Sequence, residues 1–140
     1  MELSTALDWA ADHRNGVLIT IRGDGRPQSS DVAYYVADGA IKISVTADRA
    51  KTRNLERDPR AVFHITDPGA WSYVSFDGTV GLSPVAADPN DATVDALVEY
   101  YRAVAGQDHP DWDEYRQAMV ADGRLVLTLT PASAVGQVNG

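Results

Sequence analysis

Between Val17 and Thr46 the chain alternates apolar and polar residues with a period of two, broken by tight-turn residues. Val17, Ile19 and Ile21 share one face, and Leu18 and Thr20 the other. Ile41, Ile43 and Val45 fall on one face, and Lys42, Ser44 and Thr46 on the opposite one. Successive side chains of a strand point to opposite faces, so this spacing predicts strands with one buried face each. "GDGRP" at 23–27 and "DG" at Asp38–Gly39 read as hairpin turns, because both residues of the DG pair tolerate positive φ. Short strands joined by tight turns restrict the chain to an antiparallel sheet, and at this size to a small barrel.

The remainder fits around that sheet. Residues 4–13 read as a short amphipathic helix burying Leu7 and Trp9. "QSSDVAYYV" is a second strand, "AVFHIT" a fourth, and "WSYVSFDGTVGL" a fifth that either bulges near Gly78 or continues into another short strand. Val94, Leu97, Val98, Tyr101, Val104 and Ala105 form a helical stripe over 93–105. Asp111 and Glu114 are spaced for a capping box on a helix running to about Ala121. "RLVLTLT" is a closing strand that stops at Pro131. The expected fold is mainly β with helices, α+β, built on five or six strands. Its 140 residues are expected to form one domain, 1–140, which can bury a core without staples.

The charge is unevenly placed. Net charge is -8, yet Asp48–Arg60 carries Arg49, Lys51, Arg53, Arg57 and Arg60, five of the twelve Lys and Arg residues. A short helix is expected there, capped by Asp48 and ending before Asp58–Pro59. Cations in a first helical turn oppose the helix dipole unless an anion sits there, so the placement competes evenly with a plain solvated face. Gln28, Ser29, Ser30, Ser44 and Thr46 are small or flat polar groups. They read first as the solvent face of a sheet, and second as a surface that admits a flat ring. Trp71 and Tyr73 lie on one side of their strand and Phe76 on the other; core packing is the first reading of these rings.

The chemistry excluded is broad. The chain has no cysteine, so disulfides and thiolate chemistry are absent. His13, His64 and His109 have no ligand spacing, and no metal site is expected. "GDG" lacks the context of a dinucleotide fingerprint. An acidic chain is a poor general nucleic-acid binder. No stretch approaches the roughly 18 apolar residues of a membrane span. The first sixteen residues do not read as a signal peptide, and a cytoplasmic location is expected.

The segments "GVLITIRGDGRPQSSDVAYYV", "KISVTADRAKTRNLERDPRAVF", "WSYVSFDGTVGL" and "DWDEYRQAMVADGRLVLTLTP" resemble the split β-barrel flavin and deazaflavin oxidoreductases of the pyridoxamine 5'-phosphate oxidase-like superfamily. They are most similar to its actinobacterial branch that uses coenzyme F420. The resemblance implies that Lys51 reaches the cofactor phosphate, with Arg49, Thr52 and Asn54 beside it. Gln28, Ser30 and Val32, with Val45 and Thr46, would line the ring. Trp71, Ser72 and Tyr73 would come from the second subunit of a homodimer. The implied activity is hydride transfer to a small organic substrate, with FMN as the alternative cofactor and a non-catalytic binding protein as the alternative role. The resemblance names no catalytic side chain; Tyr34, Tyr35 and Tyr73 are possible proton donors. The stretch from Arg49 to Arg60 would hold the acidic tail of F420. No Arg or His follows Arg124, so pyridoxamine 5'-phosphate oxidation itself is not expected.

Overall fold

A computed structural model describes residues 1–139. Helix α1 (Leu3–Ala10) precedes strands β1 (Asn15–Ile21), β2 (Pro27–Ala33), β3 (Tyr35–Ala37) and β4 (Ala40–Thr46). Helix α2 (Ala50–Arg57), β5 (Arg60–Asp67), a single 3-10 turn (Pro68–Ala70) and β6 (Ser72–Leu82) follow. Helices α3 (Ala92–Ala105) and α4 (Trp112–Ala121) lead to β7 (Arg124–Gln137). All strand pairs are antiparallel, in the order β2-β1-β5-β6-β7-β4-β3.

That order explains the curl of the sheet. β2 and β3 are its opposite edges, yet only Tyr34 separates them in the chain. Two edges joined by one residue must lie side by side, so the sheet rolls into a barrel split along this seam. Tyr34 seals it. The residue is buried, its hydroxyl donates to the Ala10 carbonyl at 2.6 Å, and its ring meets Phe63 edge-on at 4.9 Å. The single strand expected over "QSSDVAYYV" is therefore two strands. Alternation continues through the break, so periodicity alone could not show that the second part pairs elsewhere.

Leu18, Ile41, Ile43, Val45, Phe63, Ile65, Val74, Phe76, Leu127 and Leu129 fill the barrel. A smaller core, with Val94, Leu97, Val98, Tyr115, Met119 and Val126, lies where α3 and α4 cover β7. On β1 the buried face belongs to Gly16, Leu18 and Thr20, while Val17, Ile19 and Ile21 look outward, half-buried. Asp38 and Gly39 both have positive φ, as the DG turn requires. Asp111 accepts from the Glu114 amide at 3.1 Å and caps α4 as the spacing suggested.

Two strand and cap expectations are corrected. β7 does not stop at Pro131 but runs on to Gln137. The β6–β7 register steps from Gly78 opposite Pro131 to Asp77 opposite Ser133. The proline thus sits beside a bulge, a position in which a strand tolerates the missing N–H. Asp48 does not cap α2. Arg49 is the N-cap residue and no side chain caps the helix. The turn into α2 is closed instead by the Thr52 hydroxyl, which donates to the Thr46 carbonyl at 2.7 Å.

The 3-10 turn is held from α1's end of the barrel. His13 Nε2 lies 3.0 Å from Asp67 Oδ2, and His13 Nδ1 lies 3.0 Å from the Trp9 carbonyl. Both ring nitrogens face acceptors, an arrangement that only the imidazolium satisfies twice. Burial alone would lower the pKa of His13. The Asp67 hydrogen bond, the Trp9 carbonyl and the charges of Asp67 and Asp12 outweigh it and raise the pKa above 6.5. The His13 hydrogen bond in turn holds the Asp67 carboxyl below its ordinary range. A raised histidine stabilises in full below its unfolded pKa and loses the contribution as pH climbs through its folded value. A depressed carboxylate stabilises above its unfolded pKa and fails as pH falls through its folded value. Melting temperature should therefore hold a plateau from about pH 4 to about pH 6.5 and decline above it. His13→Gln should flatten that decline between pH 5.5 and 8.5. Equal slopes in the two proteins would remove the pair from the account.

Candidate functional site

Helix α2 lies over one end of the barrel, where it ties β1 to the β2 edge. Its Asn54 is buried and fully engaged. The amide donates to Thr20 Oγ1 at 3.1 Å and to Gln28 Oε1 at 2.8 Å, and its oxygen accepts from Arg57 at 3.0 Å. Arg57 also donates to the Ile21 carbonyl at 3.2 Å. Arg60 grips Asp58 with two hydrogen bonds of 3.1 and 2.8 Å. The five cations of the basic stretch thus divide into two groups. Arg57 and Arg60, at and beyond the carboxyl end of α2, are engaged within the chain, Arg57 with Asn54 and Ile21 and exposed Arg60 with Asp58. Arg49, Lys51 and Arg53 have no ion-pair partner among the described residues.

Lys51 is the most constrained of the three. It is half-buried, and its pKa is lowered by that burial and then by the charges of Arg49 and Arg124. A lysine desolvated beside two other cations is a locally unneutralised positive site. Two cavities meet at Ala50, next to it. One, of about 560 Å³, is lined by Thr46, Asp48, Arg49, Ala50, Asp122 and Arg124. The other, of about 410 Å³, is lined by Arg22, Gly23, Gln28, Ala50 and Asn54. The Thr46 hydroxyl lies against the Asp48 carboxylate and helps hold it below its ordinary range, while Arg124 Nε, from the wall of the first cavity, is buried without a hydrogen-bond partner. Buried polar atoms are rarely left in this condition unless something else completes them.

The remaining candidate residues separate by side. Gln28, Ser30 and Val32 stand opposite Thr20, Leu18 and Gly16, on the inward face of the edge strand β2. Val45 points into the barrel core, so it offers only backbone to a ligand. The Thr52 hydroxyl is spent on Thr46, and the Asn54 amide on Thr20 and Gln28, so both shape the site from within.

Trp71, Ser72 and Tyr73 are elsewhere. They line a third cavity of about 590 Å³ with His64, Thr66 and Gln137, on the outer face of the sheet. Core packing holds for Phe76, which is buried, but not for the other two rings: Trp71 is 82% exposed and Tyr73 42%. Trp71 adopts the left-handed conformation at φ 52, and its carbonyl accepts from Asn139 Nδ2 at 2.7 Å. The Ser72 hydroxyl donates to the Ala70 carbonyl and receives the Asn139 amide. The Tyr73 ring lies 5.6 Å from that of His64, tilted by 31°.

Arg124 is the residue that sequence reasoning missed. It opens β7 directly across from Thr46. Nothing in the local sequence places it beside α2, because only the β4–β7 register brings them together. Tyr34 is withdrawn as a proton donor by its buried hydrogen bond, and desolvation raises its pKa. The described residues hold no group of three or more potential metal ligands, and no helix is long and apolar enough to cross a membrane.

The sequence model described as pyridoxamine 5'-phosphate oxidase matches residues 5–137. Among solved structures, the conserved hypothetical protein Rv2991 from Mycobacterium tuberculosis superposes with a TM-score of 0.78 at 23% identity, over 99% of this chain and 85% of that one. A structure described as an F420 reductase has a TM-score of 0.65 at 21% identity, over 87% and 89% of the two chains. A heme binding protein from Mycobacterium smegmatis gives 0.67 at 22% identity, over 97% of this chain and 57% of its own. At these identities the superpositions establish the shared split-barrel fold.

Proposed function

We propose that this chain, which belongs to the pyridoxamine 5'-phosphate oxidase family, is an oxidoreductase that binds coenzyme F420 and moves a hydride between it and a small or planar organic substrate. The observation that carries the reading is the cluster of Arg49, half-buried Lys51 and Arg124, which forms no ion pair among the described residues although Asp48 and Asp122 line the same cavity. These residues fit a phosphate. Lys51 supplies a point charge and the uncapped start of α2 supplies backbone N–H groups. Similarity of fold to an F420 reductase supports the same reading.

When bound, the reduced deazaflavin supplies the hydride; the protein supplies binding, orientation and electrostatics. Gln28, Ser30 and Val32 give the ring a flat, weakly polar wall on β2. No side chain of this chain need form a covalent bond with the substrate. FMN shares the ring, chain and phosphate, and Lys51 would serve it equally. The additional cation at Arg124 favours the cofactor that carries further negative charge.

The protein acts as a homodimer in this reading. Val17, Ile19, Val62 and Val135 share the outer face of β1, β5, β6 and β7 with exposed Tyr73 beside Trp71. An apolar, aromatic sheet face of this kind suits a second copy across a two-fold axis, which would bring Trp71, Ser72 and Tyr73 over the partner's cofactor. One sample tests both statements. Protein loaded with reduced F420 is sized by light scattering and then mixed with a panel of enones and quinones. A dimer with protein-dependent oxidation of the cofactor is expected. A loaded monomer contradicts the shared site, and binding without oxidation identifies a carrier and not an enzyme.

A further inference from the structure

The Pro68–Ala70 turn is fastened at two points. At its start Asp67 divides its carboxylate: Oδ2 meets His13 Nε2 at 3.0 Å, and Oδ1 accepts from the Ala70 amide at 3.3 Å. At its end Asn139 Nδ2 donates to the Trp71 carbonyl at 2.7 Å, and the Asn139 amide donates to the Ser72 hydroxyl at 2.8 Å. Between these points Trp71 takes φ 52, a left-handed conformation that is strained for a bulky residue and persists only where surrounding contacts impose it. Its indole stands exposed at the rim of the cavity that His64, Pro68 and Tyr73 also line. The strain therefore packs no core; it fixes where that ring stands.

Only one of the two fastenings titrates. Asn139, Trp71 and Ser72 carry no group that ionises near neutral pH. His13 has an acceptor at each ring nitrogen, the Asp67 carboxylate and the Trp9 carbonyl. A neutral imidazole has one N–H, so loss of the proton sets a lone pair against one of these acceptors and removes the charge that Asp67 faces. Burial of the ring opposes the imidazolium, but Asp67 from the end of β5, the Trp9 carbonyl and Asp12 from its own turn outweigh burial and keep the proton to a pH above 6.5. The Pro-Gly-Ala turn adds no charge of its own.

We infer that His13 and Asp67 form a protonation-dependent latch on the Pro68–Trp71 turn: the imidazolium holds Trp71 as a fixed wall of the cavity, and the neutral ring releases it. The latch is built within one chain. What it regulates rests on the dimer reading above, in which Trp71 stands over the partner's cofactor and its release loosens that side of the site.

Protein labelled with 5-fluorotryptophan and free of cofactor tests it. Trp9, Trp71 and Trp112 give three fluorine resonances, assigned by Trp9→Phe, Trp71→Phe and Trp112→Phe. The Trp9 ring lies 4.0 Å from that of His13, so its resonance reports the charge of the imidazole. From about pH 5.5 to about pH 8.5 the Trp9 and Trp71 resonances should shift with one midpoint, and the Trp71 line should narrow as the turn is released. His64 also lines the cavity and titrates beside Trp71, so His64→Gln should leave the step in place while His13→Gln abolishes it. Should His13→Gln not fold, as judged by circular dichroism, Asp67→Asn decides. Its amide oxygen keeps the Ala70 contact and its N–H group suits a neutral imidazole, so Trp71 should no longer respond to pH. A Trp71 resonance that stays constant, that follows a midpoint other than that of Trp9, or that still steps in His13→Gln or Asp67→Asn overturns the latch and leaves the cofactor reading standing. A protein that shows the step yet binds no F420 keeps the latch and overturns the role assigned to it.

Discussion

Phe63→Ala should destabilise the fold by about 3–5 kcal/mol, the cost of emptying a large aromatic position in a packed core. Phe63 is fully buried at the centre of the barrel, on the strand between β1 and β6. Its ring meets Tyr34 edge-on, so its loss also loosens the residue that seals the seam. The opposite wall is Gly16, where a Cβ would come within 2.5 Å of the Phe63 ring. A glycine is therefore required there chiefly by the ring, with the His64 carbonyl at 3.0 Å as a second close neighbour, and not by backbone conformation. Gly16→Ala alone should be destabilising, while the same change in the Phe63→Ala background should cost little or recover stability by filling the cavity. Chemical denaturation of the three variants checks this; additive costs would mean that the ring and the glycine are not matched.

Lys51→Ala should weaken cofactor binding by about 1.5–3 kcal/mol, the range for a hydrogen bond to a charged group, with little effect on stability. The reason for the asymmetry lies in its surroundings. In the unliganded protein Lys51 stands partly desolvated beside Arg49 and Arg124, without an acid partner. Removing it relieves like-charge repulsion and leaves no carboxylate unpaired. A lysine kept for the fold would show the reverse pattern.

Much of the fold was legible because period-two alternation and the DG turn are local signals. Both long helices fell in the same class, and the register with β7 decides for the bulge at Gly78 over a break into two strands. What the sequence did not disclose was pairing. Tyr34 divides two strands that read as one, because the alternation is unbroken while the partner changes from β1 to β4. Pro131 reads as a strand end until the β6 bulge opposite it is seen. The same limit governs the site. The basic stretch was visible, yet its division into structural and open cations depends on carbonyls and carboxylates that only the folded chain brings near. The Arg57 bond to Ile21 crosses from α2 to β1, and Arg124 reaches the site through a register with Thr46. Trp71 and Tyr73 read first as core rings, because alternation gives the two faces of a strand without saying which is outside.

The central claim is that an F420-type cofactor binds with its phosphate at Lys51. Equilibrium fluorescence titration of F420 into the unmodified protein and into Lys51→Ala, at one salt concentration and with matched unfolding midpoints, addresses it most directly. The expected result is saturable binding to the unmodified protein and an affinity lower by about 10- to 150-fold in the variant. Equal affinities in the two proteins, or no binding of F420 to either, would contradict it.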